Sequence, residues 1–233
     1  MTTETHGVSF WADTGRIDVV LLDGKQQSYF IKVVSEGRGR NMVRGEFESM
    51  KAIRNITPEF APAPIAWGSY SSIPDTHFLL CEFKEMWDEM PDPMKFGAAL
   101  ATLHQKSSSP HGKFGFGIDT YAGKLPQRVD WEDSWETFFA KSMRWALDLE
   151  LTAKRPSEEL DCLIPIRRPL RLCEDAGAKR QHPLGSARWA FAGFISVSCM
   201  NSCGNRQCGD GKSTSARWRD SSRLEEVKRF VYG

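Results

Sequence analysis

The chain has 233 residues, of which 40% are apolar and 26% charged, and its formal net charge is +1. This suffices for one large domain or two lobes around a sizeable core, and it suggests neither global disorder nor a chain-wide polyelectrolyte partner. No run of about 18 uncharged apolar residues is present, so no membrane span is expected. The polar stretch Met1–Phe10 lacks the apolar centre of a secretory signal, and the expected location is the cytosol.

The averages conceal a seam near Cys162. Residues 1–162 carry 18 Lys and Arg against 24 Asp and Glu, whereas residues 163–233 carry 13 against 6. Five of the six cysteines (Cys162, Cys173, Cys199, Cys203 and Cys208) lie at or beyond the seam, and ten of the thirteen basic residues there are Arg.

Arg16–Leu22 and Ser28–Val34 are β-branched and aromatic runs on either side of Asp23-Gly24, a pattern that predicts a hairpin. In the second run Phe30, Lys32 and Val34 share a face, so Lys32 is a lone cation among apolar neighbours. Such a lysine either snorkels from an edge strand or is held on its strand to meet a phosphate. Val43, Phe47, Met50 and Ile53 then recur at helical spacing over Asn41–Ile56, and Pro58, Pro62 and Pro64 prevent continuation. Pro64–Tyr70 and Thr76–Phe83 read as two further strands around Ser71-Ser72-Ile73-Pro74-Asp75. Strand, strand, helix, strand, strand makes a lobe over residues 1–82.

After this lobe, alternation is lost at Cys81-Glu82-Phe83-Lys84-Glu85-Met86, which reads as a hinge. Asp92 with Pro93 predicts a capped helix, whose apolar stripe is Phe96, Leu100 and Leu103 and whose end is His104, read as structural. Gly112-Lys113-Phe114-Gly115-Phe116-Gly117 does not have dinucleotide-loop spacing and reads as a packed loop. Trp131–Leu151 predicts a long helix with a face of Trp135, Phe138, Phe139, Ser142, Trp145, Ala146 and Leu149. Residues 83–162 therefore begin a helical lobe.

The order of these motifs resembles a known family. A strand lysine in Tyr29-Phe30-Ile31-Lys32-Val33, a helix beginning Gly45-Glu46-Phe47-Glu48 and the Glu82-Phe83 hinge are similar to the small lobe of kinase-like phosphotransferases. Leu103-His104, Lys113-Phe114-Gly115-Phe116, Leu125-Pro126-Gln127 and Trp131-Glu132-Asp133-Ser134-Trp135-Glu136-Thr137-Phe138-Phe139 resemble the fructosamine kinase family, and within it the fungal protein-ribulosamine 3-kinases. The likeness covers about residues 7–160. It implies an α+β, two-lobed, protein-kinase-like fold with an incomplete C-terminal lobe. It also implies transfer of the ATP γ-phosphate to the 3-hydroxyl of a protein-bound ketosamine, with Mg²⁺ as cofactor and glycated proteins or small ketosamines as substrates. Such transfer rests on positioning and charge neutralisation. By this likeness Lys32 meets the α/β-phosphates, Glu46 holds Lys32, and the backbone around Glu82, Phe83 and Lys84 meets the adenine edge. His6-Gly7-Val8-Ser9-Phe10-Trp11, with a single glycine, takes the place of the loop over the phosphates.

The family's catalytic motif, His-Gly-Asp-Leu-Trp-x-Gly-Asn with a later metal-binding Asp, does not occur in residues 150–233, where the only histidine is His182. No catalytic base and no metal ligand is assigned, and the expectation is a chain inactive as written. A different reading frame, an unspliced intron or a faulty gene model is the simplest explanation of this segment rich in Arg, Cys, Ser and Gly without periodicity, and a real divergent tail is the alternative. Cys199, Cys203 and Cys208, with His182 or Cys173, lack the compact pairs of a structural zinc site. Gly209-Asp210-Gly211-Lys212-Ser213-Thr214 imitates the end of a phosphate loop, with Arg206 where its leading glycine belongs. Arg217, Trp218, Arg219 and Arg223 resemble a nucleic-acid patch only in composition. A solvated tail is expected. The alternatives to a kinase are a noncatalytic nucleotide-binding remnant and a kinase-like lobe bearing a nucleic-acid or zinc-binding tail.

Overall fold

The structure, a computed structural model, describes residues 2–153 apart from Val8, Phe10, Glu36 and residues 86–89. The expectations for zinc, phosphate and nucleic acid on residues 163–233 lie outside the described residues. The fold is α+β. Five strands, β1 (Thr2–Thr5), β2 (Asp13–Val20), β3 (Gln26–Ser35), β4 (Pro64–Ser69) and β5 (Thr76–Glu82), form an antiparallel sheet in the order β1-β2-β3-β5-β4. Helix α1 (Gly39–Arg54) connects β3 to β4 and packs on the sheet. Beyond the sheet come α2 (Pro93–Lys106), the hairpin β6 (Thr120–Ala122) and β7 (Leu125–Gln127), and α3 (Trp135–Ala153).

Because β3 is central, apolar residues at consecutive positions are buried on both faces. One face gathers Ile17, Val19, Ile31, Val33, Tyr70, Phe78 and Leu80. The other gathers Phe30, Val34, Leu79 and Cys81 with Met42, Val43 and Met50 of α1. Complete burial of one such aliphatic side chain contributes about 1.5–3 kcal/mol, so these two clusters hold the sheet and fix its register. The central position also rules out the edge-strand reading of Lys32, which is only 1% exposed.

The expected elements are present with shifted ends. The first hairpin turns over Leu21–Lys25, with Gly24 at φ +80° and the Asp23 carboxylate accepting from the Lys25 N–H at 3.1 Å. Helix α1 starts at Gly39, more than a turn before the Gly45-Glu46-Phe47-Glu48 stretch where the family likeness places its beginning. Arg54 closes its C-terminal end by donating to the Pro58 and Ala61 carbonyls. Asp92 caps α2 by accepting from the Met94 and Lys95 N–H groups at 2.8 and 3.3 Å. Of the expected α2 stripe only Leu103 is buried, Phe96 being 39% exposed, and the helix runs past His104 to Lys106. Helix α3 starts at Trp135 rather than Trp131. Ser134 accepts from the Thr137 N–H at 3.1 Å as a cap, and Glu132 is drawn into a two-way backbone bridge with Phe114. That bridge seats Phe114 and Phe116 against Val129, Trp135 and Phe138, so the glycine-rich segment is a packed loop. Phe138 is the only buried residue of α3, and Trp145 is 37% exposed.

Candidate functional site: a buried ion pair beside the hinge

Strand β3 delivers Lys32 to the α1 face of the sheet, opposite Thr14 of β2 and Leu79 of β5. Helix α1 delivers Glu46 to the same place. The Lys32 Nζ donates to Glu46 Oε2 at 2.6 Å, with both side chains nearly enclosed. An ammonium taken from water alone costs several kcal/mol even after relaxation, and a partner within hydrogen-bond range is what lets it stay charged. The pair thus places an amine-bearing side chain of the central strand against a carboxylate of the helix.

The hinge residues follow at the end of β5. The Glu82 N–H donates to the Ala63 carbonyl at 2.8 Å, and the Phe83 N–H to the Ser28 carbonyl at 3.3 Å. These two donors are thus already used inside the lobe. Burial pushes the Glu82 carboxyl up, but the Lys84 ammonium at 2.7 Å and the Ala63 N–H outweigh it and hold the group below its ordinary value. The Phe83 ring turns under the sheet, where the Arg16 guanidinium lies 4.6 Å from its centroid and the His6 ring 4.9 Å away. His6 is pinned at the start of its loop. Its N–H donates to the Thr14 carbonyl at 3.1 Å, and its carbonyl accepts from the Thr14 hydroxyl at 2.6 Å.

Two features escaped the sequence reading. Arg16, Asp18 and Ser28 form a polar cluster on the Lys32 face, with Arg16 on Asp18 at 2.9 Å and the Ser28 hydroxyl on Asp18 at 2.5 Å. The Ser28 bond first, and Arg16 after it, hold the Asp18 carboxyl below its ordinary value. Alternation of Thr14, Arg16 and Asp18 with Gly15, Ile17 and Val19 was the available signal. The second feature is the β6–β7 hairpin, which sits against α1. Among the described residues no group of three or more His, Cys, Asp or Glu side chains could hold a metal ion, and no helix is long and apolar enough to cross a membrane. A buried lysine paired to a helix glutamate is chemically suited to meet a phosphate group.

The fructosamine kinase family model matches residues 9–164, two thirds of the sequence, including Lys32, Glu46 and the hinge. The chain belongs to the fructosamine kinase family. Among relatives in this family, the ketosamine-3-kinase of Mus musculus is 29% identical over 163 residues, covering 59% of this chain and 47% of the mouse protein. A probable ketoamine kinase of Enterococcus faecium is 28% identical over 127 residues, covering 50% of this chain and 38% of the bacterial one. Two solved structures described as fructosamine-3-kinases share the fold. That from Haemophilus somnus has a TM-score of 0.54 at 19% identity, covering 71% of this chain and 53% of its own. That from Thermobifida fusca has a TM-score of 0.56 at 19% identity, covering 76% and 58%. The chain spans about half the length, or less, of the fructosamine kinase relatives it matches.

Proposed function

We propose that the chain carries the nucleotide-binding part of an ATP-dependent ketosamine 3-kinase. On this reading residues 1–82 are the nucleotide lobe, residues 83–162 begin the helical lobe, and the basic segment 163–233 is not family-like. The observation that carries the proposal is the enclosed 2.6 Å bond between Lys32 and Glu46, set on a five-stranded sheet one strand from the hinge. Lys32 neutralises the α/β-phosphates of ATP and Glu46 fixes its direction. Since the Glu82 and Phe83 N–H groups are engaged within the lobe, the adenine edge is left the carbonyls of the hinge and the N–H of Lys84. The acceptor is the 3-hydroxyl of a ketosamine, with ribulosamine on a protein lysine as the first to test, and the setting is cytosolic.

The transfer step needs a base on that hydroxyl and ligands for Mg²⁺, and the His-Gly-Asp motif that provides them in the family is not in the sequence. Loss of the base alone costs about 10²–10⁴-fold. This absence favours a second reading, in which the 233 residues bind nucleotide without turning it over. The test incubates purified chain with ATP, Mg²⁺ and a ribulosamine-modified lysine peptide and follows 3-phosphate formation. Little or no transfer is expected. Turnover near 1 s⁻¹, the low end for kinases, would mean that an acidic residue such as Asp175 or Asp210 serves as base.

A further inference from the structure

The β6–β7 hairpin touches three parts of the molecule at once. Where the chain enters it, the backbone runs so close to α1 that a Cβ at position 45 would collide with the Asp119 carbonyl oxygen. Only glycine fits there, and Gly45 immediately precedes Glu46. Tyr121 follows and is buried in the cluster that holds Met42, Val43 and Met50 of α1. At the tip Gly123 takes φ +62°, the conformation that a two-residue turn asks of its first residue. The Trp11 ring lies across it, 3.5 Å from where a Cβ would stand. On the returning strand the Pro126 carbonyl accepts from the Trp145 indole N–H of α3 at 2.9 Å.

We propose that this hairpin is a clamp on the nucleotide site, with Gly45 and Tyr121 as positioning residues that hold Glu46 against Lys32. The inference rests on the nucleotide reading of that pair. Helix α1 has no side-chain hydrogen bond at its N-terminal cap, so its position along the sheet is set by what packs on it. The sheet and Tyr121 share one cluster with Met42, Val43 and Met50 of the helix, and the Asp119 backbone presses on it at Gly45. A three-residue-per-strand hairpin is not stable alone, so it and α1 order each other. A shift of α1 by about one ångström takes a charged N–H···O contact out of its strong range. The hairpin also links the loop bearing Trp11 to α3.

The experiment uses the full chain and four variants: Glu46→Gln, Gly45→Ala, Tyr121→Leu, and Tyr121→Leu with Glu46→Gln. ATP affinity of the folded fraction and the urea midpoint are both measured. Glu46→Gln and Gly45→Ala should each weaken ATP binding about ten- to hundredfold, as expected for one charge-assisted hydrogen bond. Tyr121→Leu should weaken it less, and should weaken it no further in the Glu46→Gln background, because it acts through the bond already lost. Tyr121→Leu carries the test if Gly45→Ala does not fold. Wild-type ATP affinity in Tyr121→Leu, or losses that multiply in the double variant, would overturn the clamp. If the wild-type chain binds no ATP, the nucleotide reading fails, and the midpoints decide separately. Non-additive midpoint losses for Tyr121→Leu and Glu46→Gln uphold the clamp, and additive ones overturn it.

Discussion

Lys32 is legible from sequence as a cation out of phase with its strand neighbours, but its burial is not. Burial follows from β3 having β2 on one side and β5 on the other, which no local pattern reveals. Glu46 is less legible still, because one carboxylate among the charges of an amphipathic helix has no distinguishing spacing. Its pairing with Lys32 was expected from the family likeness alone, and the fold places the two at 2.6 Å. Removing one member leaves the other enclosed and unpaired, so Lys32→Met or Glu46→Leu alone should destabilise the chain by about 3–5 kcal/mol in urea titrations. The double replacement should recover most of that loss, since two apolar side chains of similar volume restore the packing. A second residue-scale prediction concerns acid. The Asp18 carboxyl is held below its ordinary 3.8, first by the Ser28 hydroxyl. A carboxyl depressed on folding contributes stability above its unfolded value, and this is lost as pH falls through the folded one. Glu82, depressed by Lys84 and the Ala63 N–H, acts in the same direction. Ser28→Ala should therefore flatten the fall of the melting temperature below about pH 4, and equal slopes in both proteins would contradict it.

Among the elements, β2 to β5 and the three helices were readable because each has a long apolar period or a cap, such as Asp92-Pro93 before α2. Strand β1 was not readable, since Thr-Thr-Glu-Thr is a polar edge strand that pairs with β2. Strands β6 and β7 were missed for a different reason. Three residues are too few for alternation to register, and the hairpin is held by Tyr121 burial and by the Thr120 hydroxyl on Gln127 at 2.9 Å. The start of α3 was placed four residues early because Trp131 fits the apolar period, although Glu132 is committed to its bridge with Phe114. The caps give the element-scale prediction. Asp92→Ala removes the acceptor for two N–H groups at the start of α2 and should cost about 1 kcal/mol, read as a lowered melting temperature. Since Asp92 is exposed and precedes the helix, ATP affinity should not change. A coupled loss of affinity would mean that α2 takes part in the nucleotide site.

At the scale of the whole molecule, the sheet with α1 is a tightly cored unit, whereas α2 and α3 each bury a single helical residue, Leu103 and Phe138. Among the described residues, burial is thus concentrated in the part that holds Lys32, Glu46 and the hinge. The fold class was legible through the family likeness, the order of strands and helix by itself giving only a lobe over residues 1–82. No catalytic residue was assigned, because the motif that the family likeness leads one to expect is not in the sequence. The central claim is that the enclosed Lys32–Glu46 pair is a nucleotide site in a chain that does not complete transfer. Calorimetric titration of ATP into the full chain, beside the Lys32→Met/Glu46→Leu double variant, tests it most directly. The account predicts saturable binding to the wild-type chain and its loss, by tenfold or more, in a double variant that still unfolds cooperatively. Equal affinity in the two proteins, or no heat from the folded wild-type chain, would contradict it.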